Sequence, residues 1–147
     1  MAETEEKTYY RASLGLKKEV SGTIDSDWNS NVIQRIRDNE GMLEVPEAAL
    51  TFQLAKEFGF CYGVDKAIDM AYEARQKFPD KRIFLLTEII HNPRVNQKLR
   101  EMGIVFLSGQ GADERYTVDD ITERDVVLIP AFGTSAELFK RLRDRGA

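Results

Sequence analysis

The chain has 147 residues, the usual size of a single domain. Its 25 acidic and 21 basic side chains give a formal charge of −4, which argues against a general nucleic-acid-binding protein. No apolar run is long enough to cross a membrane. The segment Met1–Lys7 is acidic and polar, unlike a secretory signal. Composition therefore predicts a soluble cytoplasmic protein that binds neither nucleic acid nor membrane.

Cysteine and histidine each occur once in the sequence, as Cys61 and His91. A single cysteine rules out a disulfide within the chain and any zinc site or cluster built by the cysteines of one copy. A single histidine likewise excludes a multi-histidine metal site in one copy.

The first part of the chain, residues 1–45, is polar and weakly periodic, and we predict an extension lying on the main domain. Within it, apolar residues at helical spacing predict one short helix over Trp28–Asn39. Ser30 is a candidate N-cap of that helix. For residues 1–22, a disordered arm is the alternative.

The main domain is predicted over residues 46–147, where short apolar runs alternate with helical patterns. The predicted strands are Leu50–Ala55, Ile83–Leu86, Ile104–Leu107 and Val126–Ile129. Strands and helices that alternate at this spacing imply right-handed crossovers and a mostly parallel sheet. We therefore predict an α/β fold, with one four-stranded, mainly parallel sheet and flanking helices.

Capping residues mark the ends of two predicted helices. One helix has Asn92 at its N-cap and Pro93 at its first position. The last helix is predicted to open with Thr134 and Glu137 as a T-x-x-E capping box, and Gly146 is its predicted C-cap.

Ligands of parallel sheets bind beyond the carboxyl ends of the strands, which gives three candidate segments. They are Gly59–Val64, Thr87–Pro93 and Pro130–Ser135. The first contains Cys61 and the second contains His91. The third offers two hydroxyls that helix capping explains, so it is a weak signal.

Cys61 lies in a glycine-flanked turn that leads into a helix. A helix N-terminus stabilises a thiolate, which favours a nucleophile or a metal ligand. Gly63 would let the backbone approach a bulky group beside the sulfur. The alternative is a buried structural cysteine, the commoner fate of a lone cysteine. A tyrosine-phosphatase-like loop is excluded, because Ala67 stands where that loop needs an arginine.

His91 immediately precedes a helix N-terminus, where it can donate to an anion that free backbone N–H groups attract. Diphosphate is a ligand of this kind. The alternative is an exposed loop histidine. A nucleophilic dyad of Cys61 and His91 is also open, although the sequence offers no obvious third, orienting group.

Three motifs in order carry a resemblance to a known family. They are G-F-C-x-G-V-x-x-A-I, E-I-I-H-N-P-x-V-N and P-A-F-G-T. From about Leu50 to Ala147 the chain resembles the N-terminal part of the 4-hydroxy-3-methylbut-2-enyl diphosphate reductases, the LytB-type iron–sulfur enzymes of the non-mevalonate isoprenoid pathway. A fainter likeness through residues 30–39 points to the plastid and cyanobacterial branch. That branch shares Phe132, where many members have a histidine.

This resemblance implies a trefoil-like arrangement of three similar α/β domains around a 4Fe–4S cluster, each supplying one cysteine. It implies that Cys61 is a metal ligand and that His91 contacts the substrate diphosphate. The implied reaction is the reductive dehydroxylation of an allylic diphosphate to isopentenyl and dimethylallyl diphosphate. Electrons would come from a ferredoxin- or flavodoxin-type donor. No catalytic residue is assigned to this chain.

Members of the family continue past the point that matches Ala147 with two further domains, which hold the other cysteines and the proton-delivering glutamate. We therefore expect the isolated chain to be inactive as a reductase and prone to self-association through an uncovered apolar interface. One alternative is a non-catalytic single-domain fragment or partner-binding module. A thiol enzyme built on Cys61 and His91 is a third interpretation.

Overall fold

The computed structural model describes residues 9–147 of the chain. The N-terminal elements are α1 (Lys17–Trp28), α2 (Asn31–Asp38), β1 (Met42–Val45) and β2 (Leu50–Gln53). The elements that follow are α3 (Tyr62–Lys77), β3 (Ile83–Leu85), α4 (Pro93–Glu101), β4 (Ile104–Phe106), β5 (Val126–Leu128) and α5 (Ala136–Arg145). Short 3-10 turns occupy Pro46–Ala48 and Val118–Asp120. None of the helices in residues 9–147 is long and apolar enough to cross a membrane.

The central feature is a parallel sheet of three strands in the order β4-β3-β5. Ile83 lies opposite Ile104 on one side and Val126 on the other. The residues of β3 are 0% exposed, as expected of a strand covered on both faces. Ile83 and Leu85 pack into one hydrophobic cluster, with α1, α3 and α4, whereas Phe84 packs into a second, with α5. The predicted α/β class with a parallel sheet is confirmed.

The prediction that Leu50–Ala55 belongs to this sheet, which would give it four strands, is wrong. The segment Leu50–Gln53 is a strand, but it pairs antiparallel with Met42–Val45 in a separate two-stranded sheet. Its partner lies only a short turn upstream, and antiparallel strands can be joined by such a turn. The central strand β3 already has a neighbour on each side. All four residues of β2 are exposed.

The N-terminal segment also differs from its prediction, because it contains two helices where one was predicted. Trp28 is the last residue of α1 rather than the first residue of the predicted helix. Ser30 does cap α2, since its Oγ accepts a hydrogen bond from the backbone N–H of Ile33 at 3.4 Å. Of the predicted alternative, a disordered arm over residues 1–22, residues 17–22 belong to α1 and Leu14 is buried. Residues 1–8 lie outside the described part of the chain.

Helix α1 is tied to both α3 and α4 through Asp27. One oxygen of the Asp27 carboxylate accepts the hydroxyl of Tyr72 in α3 at 2.8 Å. The other lies 2.6 Å from the ammonium of Lys98 in α4. A second ion pair, between Lys17 and Asp69 at 2.7 Å, joins α1 to α3 at its other end.

The predicted cap of α4 is confirmed, and that of α5 shifts by one residue. Asn92 is the N-cap of α4, with Pro93 in its first turn. For α5 the N-cap is Ser135, whose Oγ accepts from the backbone N–H of Leu138 at 3.1 Å, so Thr134 lies outside the helix. The predicted C-cap Gly146 is confirmed, with a φ of 92°.

Candidate functional site

Cys61 is the N-cap residue of α3, and its side chain is exposed. The Cys61 carbonyl accepts a hydrogen bond from the backbone N–H of Asp65 at 3.0 Å, which begins the helix. Its side chain makes no capping hydrogen bond. The thiol is therefore open to solvent at a helix N-terminus, and the alternative of a buried structural cysteine is wrong.

In the turn around Cys61, the preceding residue Phe60 packs against α1, whereas Gly63 has open space beside it. The ring of Phe60 packs edge-on against that of Trp28 in α1, with 6.0 Å between centroids. Gly59 has a φ of 105°, which favours glycine. A Cβ built on Gly63 meets nothing within 4 Å. The packing of the described residues thus leaves free space around Gly63, two residues after Cys61.

His91 projects from the loop between β3 and α4, and 90% of its side chain is exposed. Its Nδ1 lies 2.9 Å from an Oε of Glu88, which sits three residues earlier. The sequence analysis did not single out Glu88, although the i, i+3 spacing in E-I-I-H was the available signal.

The backbone N–H groups at the start of α4 are already hydrogen-bonded within the chain, which bears on the prediction that they attract an anion. Asn92 Oδ1 accepts from the N–H groups of Arg94 and Val95, at 3.0 and 3.3 Å. The N–H of Asn96 donates to the Asn92 carbonyl at 3.0 Å, and Pro93 has no N–H. The expectation of free N–H groups is therefore wrong, and an anion at this end of α4 would depend on side chains. The guanidinium of Arg94, 6.0 Å from the ring centroid of Trp28, is a cation close to this end.

The loops that carry Cys61 and His91 rest on the same hydrophobic cluster. Phe60 and Ile90, each the residue before a candidate, both pack against it. The third predicted segment differs, because Ile129, just before it, packs in the second cluster. Phe132 in that segment is 80% exposed. The loops of Cys61 and His91 therefore share one hydrophobic cluster, whereas the third loop packs on the other cluster.

A direct Cys61–His91 dyad is not formed. Among residues 9–147, no hydrogen bond joins the two side chains, and the Nδ1 of His91 is occupied by Glu88. Nor do the described residues contain a group of three or more histidine, cysteine, aspartate or glutamate side chains that could hold a metal ion. Cys61 can serve as one ligand of a metal centre, with the others supplied from outside this part of the chain.

The fold and this site define an α/β domain that presents one free thiol and one carboxylate-bound histidine at the starts of two helices. Residues 52–147 match the family described as LytB protein. The chain belongs to the LytB family, and both Cys61 and His91 lie within the matched residues.

Curated relatives of the chain are named 4-hydroxy-3-methylbut-2-enyl diphosphate reductase. The protein from Picosynechococcus sp. (strain PCC 7002) is 42% identical over 140 residues, which is 95% of this chain and 34% of that protein. The protein from Microcystis aeruginosa is 43% identical over 138 residues, which is 94% of this chain and 33% of that protein. The chain thus spans about a third of the length of these relatives.

A solved structure of (E)-4-hydroxy-3-methyl-but-2-enyl diphosphate reductase, described as the terminal enzyme of the non-mevalonate pathway, also aligns with the chain. It is 30% identical, with a TM-score of 0.48, and the alignment covers 63% of this chain and 29% of that one.

Proposed function

We propose that residues 46–147 form the first α/β domain of a 4-hydroxy-3-methylbut-2-enyl diphosphate reductase, with residues 1–45 as an extension of which α1 packs on that domain. The reaction is the reductive removal of the hydroxyl of an allylic diphosphate, which gives isopentenyl and dimethylallyl diphosphate. The observation that carries this proposal is the family match over residues 52–147, which contains both candidate side chains. The names of relatives that cover at least 94% of this chain support the same reaction.

Cys61 is proposed as one ligand of a 4Fe–4S cluster. Such clusters are held by cysteine thiolates, and the exposed, unpaired thiol at the start of α3 fits one ligand position. The other ligands come from two further domains of the same kind in the proposed trefoil arrangement. When bound, the cluster supplies the electrons of the reduction, which a ferredoxin- or flavodoxin-type donor delivers.

His91 is proposed to bind the substrate diphosphate. Because the N–H groups at the start of α4 are already hydrogen-bonded, the exposed imidazole of His91 has to make the contact itself. A charge-assisted hydrogen bond from imidazolium to phosphate contributes about 1.5–3 kcal/mol. Arg94 adds positive charge beside it, which favours an anion over a neutral ligand.

The proposal is tested in a complete enzyme in which residues 52–147 of this chain replace the matching part of the Picosynechococcus relative. We expect Cys61→Ser to lose iron and activity together. We expect His91→Ala to keep its iron while kcat/KM falls by about 10- to 150-fold, the equivalent of one lost charge-assisted hydrogen bond.

Arg124→Ala is the matched control, because Arg124 precedes β5 and so lies at the opposite end of the parallel sheet from His91. It should leave both iron content and kcat/KM unchanged. A His91→Ala enzyme that lost its cluster absorbance but bound substrate normally would contradict the assignment of His91. An inactive chimera that folds and retains no iron would instead favour a non-catalytic, partner-binding module.

A further inference from the structure

Glu88 and His91 form a pair in which one side chain is sheltered and the other is exposed. The Glu88 side chain is 10% exposed and that of His91 is 90% exposed, with 2.9 Å between Oε2 and Nδ1. An ionised carboxylate only accepts hydrogen bonds, so the proton in this contact belongs to Nδ1. The opposite ring nitrogen, Nε2, is then the atom left for a ligand.

The sheltered position of Glu88 is set by the turn that follows β4. Gly109 there has a φ of 89°, and a Cβ on it would lie 3.1 Å from Glu88 Cγ and 3.4 Å from Thr87 Oγ1. The same turn is fastened to the end of β3, since Ser108 Oγ donates to the Leu86 carbonyl at 2.7 Å. The Glu88 side chain is therefore packed between two strand ends.

The backbone next to His91 is held in place by two hydrogen bonds to the carbonyl of Ile90. The carbonyl of Ile90 accepts from the backbone N–H of Asn92 at 2.8 Å and from the side-chain amide of Asn96 at 3.0 Å. Asn96 is 3% exposed and lies in the second turn of α4. The held backbone and the contact of Nδ1 with Glu88 together restrain the orientation of the imidazole.

We propose that Glu88 is the positioning residue for His91, because it fixes the ring with Nε2 directed away from the protein for a phosphate oxygen. This inference rests on the proposed function in taking diphosphate as the ligand of His91. With Nδ1–H donating to Glu88, a second proton on Nε2 gives the ring a donor at each end, one for the carboxylate and one for the anion.

The first measurement is the tautomer of the neutral ring in the 147-residue chain, read from long-range proton–nitrogen NMR correlations. His91 is the only histidine, so its ring signals need no assignment. We expect the Nδ1–H tautomer in the unmodified chain and the Nε2–H tautomer, which free imidazole side chains prefer, in Glu88→Met. Nε2–H as the main tautomer of the unmodified chain would overturn the proposal.

The second measurement is the affinity for inorganic diphosphate, followed by the same ring signals or by calorimetry. Removal of a negative charge beside an anion site would by itself strengthen binding. If Glu88 positions the ring, Glu88→Met should instead weaken diphosphate binding by about two- to ten-fold, because the freed imidazole must then be ordered on binding. Tighter binding in Glu88→Met would show that Glu88 acts only as a charge and would overturn the proposal.

Two further variants complete the test. Glu88→Gln keeps the length of the side chain and an oxygen that accepts from Nδ1–H, so it should retain the Nδ1–H tautomer and bind no more weakly than the unmodified chain. An equal loss in the glutamine and methionine variants would contradict a role for the acceptor oxygen. Glu101→Met, which removes a surface carboxylate at the far end of α4, is the matched control and should change neither reading.

The two proposals fail in different ways. If His91→Ala binds diphosphate as well as the unmodified chain, the proposed function of His91 fails, while the tautomer measurement still decides whether Glu88 orients the ring. If His91→Ala weakens binding but Glu88→Met in that background weakens it by the same further factor, Glu88 acts independently of His91, and only the positioning role is contradicted.

Discussion

The carboxylate of Glu73 in α3 accepts the hydroxyl of Ser13 on both of its oxygens, at 3.0 and 2.8 Å, although the two residues are 60 positions apart. The same carboxylate accepts the backbone N–H groups of Leu14 and Leu16, at 2.5 and 3.2 Å. Glu73 is 1% exposed. The chain that leads into α1 is thus fastened to the core helix by one buried charged group.

The pH dependence of this contact follows from the pKa of Glu73. Burial by itself raises that pKa, but the hydrogen bonds from Ser13, Leu16 and Leu14 outweigh it and hold the pKa below its ordinary range. A carboxyl whose pKa is lowered by folding stabilises the fold above its unfolded pKa of about 4.3, and this contribution is lost as the pH falls through the folded pKa.

We therefore predict that Glu73→Gln lowers the free energy of unfolding by about 1–3 kcal/mol at neutral pH. Below about pH 4.3 the difference between the variant and the unmodified chain should shrink, because the carboxyl is then protonated in the unfolded chain, and it should vanish once the pH has fallen through the lowered pKa of the folded state. Urea unfolding at both pH values measures this. Glu101→Gln, at an exposed site, should change the free energy of unfolding by much less, and a pH-independent difference for Glu73→Gln would contradict the argument.

A pair of neighbouring hydroxyls tests which residue caps α5. Ser135 Oγ accepts from the N–H of Leu138, so Ser135→Ala should lower the free energy of unfolding by about 1 kcal/mol. Thr134→Ala is the matched control and should cost clearly less, because Thr134 lies outside the helix. Thermal unfolding of both variants decides between them, and the reverse order would restore the capping box with Glu137 that the sequence predicts.

The exposure of Cys61 and its closeness to Trp28 can be tested together, because the chain has one cysteine and one tryptophan. Phe60, adjacent to Cys61, contacts the indole ring of Trp28. We expect the thiol to react fully with a nitroxide maleimide in the folded chain and the attached nitroxide to quench the fluorescence of Trp28. Urea should relieve the quenching. In Cys61→Ser treated in the same way, the fluorescence of Trp28 should be unchanged. A thiol that reacts with the maleimide only in urea would contradict the exposed position of Cys61.

The hairpin of β1 and β2 leads to a prediction of self-association. Leu50 and Phe52 are 53% and 51% exposed, and an isolated two-stranded sheet is only marginally stable in water. We expect two copies to associate through this apolar surface. The mass measured by sedimentation should rise with concentration, and Leu50→Ser with Phe52→Ser should shift the association to higher concentration by about ten-fold or more. Val32→Ser, at an exposed apolar residue of α2, is the control; an unmodified chain that stays monomeric throughout would contradict the prediction.

The sequence predicts those parts of the fold whose signals are local. The continuous apolar run Ile83–Leu86 and the Asn92-Pro93 cap each depend on a few adjacent residues, and the structure has a strand over Ile83–Leu85 and the cap at Asn92. The pairing of Leu50–Gln53 could not be read in this way. An apolar run predicts a strand, but the run itself does not specify which other strand it pairs with, and here the partner is the nearby segment Met42–Val45.

The candidate site was predictable to a similar extent. The positions of Cys61 and His91 at the starts of two helices follow from glycine, proline and asparagine signals next to them. The burial of the Glu88 side chain does not follow from such signals, because it depends on Gly109. That glycine belongs to another turn and comes close to Glu88 only when β3 and β4 pair. The closed hydrogen bonding of the α4 N-terminus likewise depends on the orientation of the Asn92 side chain.

The position of Asp27 between Tyr72 and Lys98 has a mechanical consequence. Helices α3 and α4 start at the two candidate loops, and the last turn of α1 grips both of them through this one carboxylate. An axial shift of either helix must therefore break a contact or drag α1 with it. The helices that begin at the Cys61 and His91 loops are thus coupled to each other through a segment that precedes both of them in the chain.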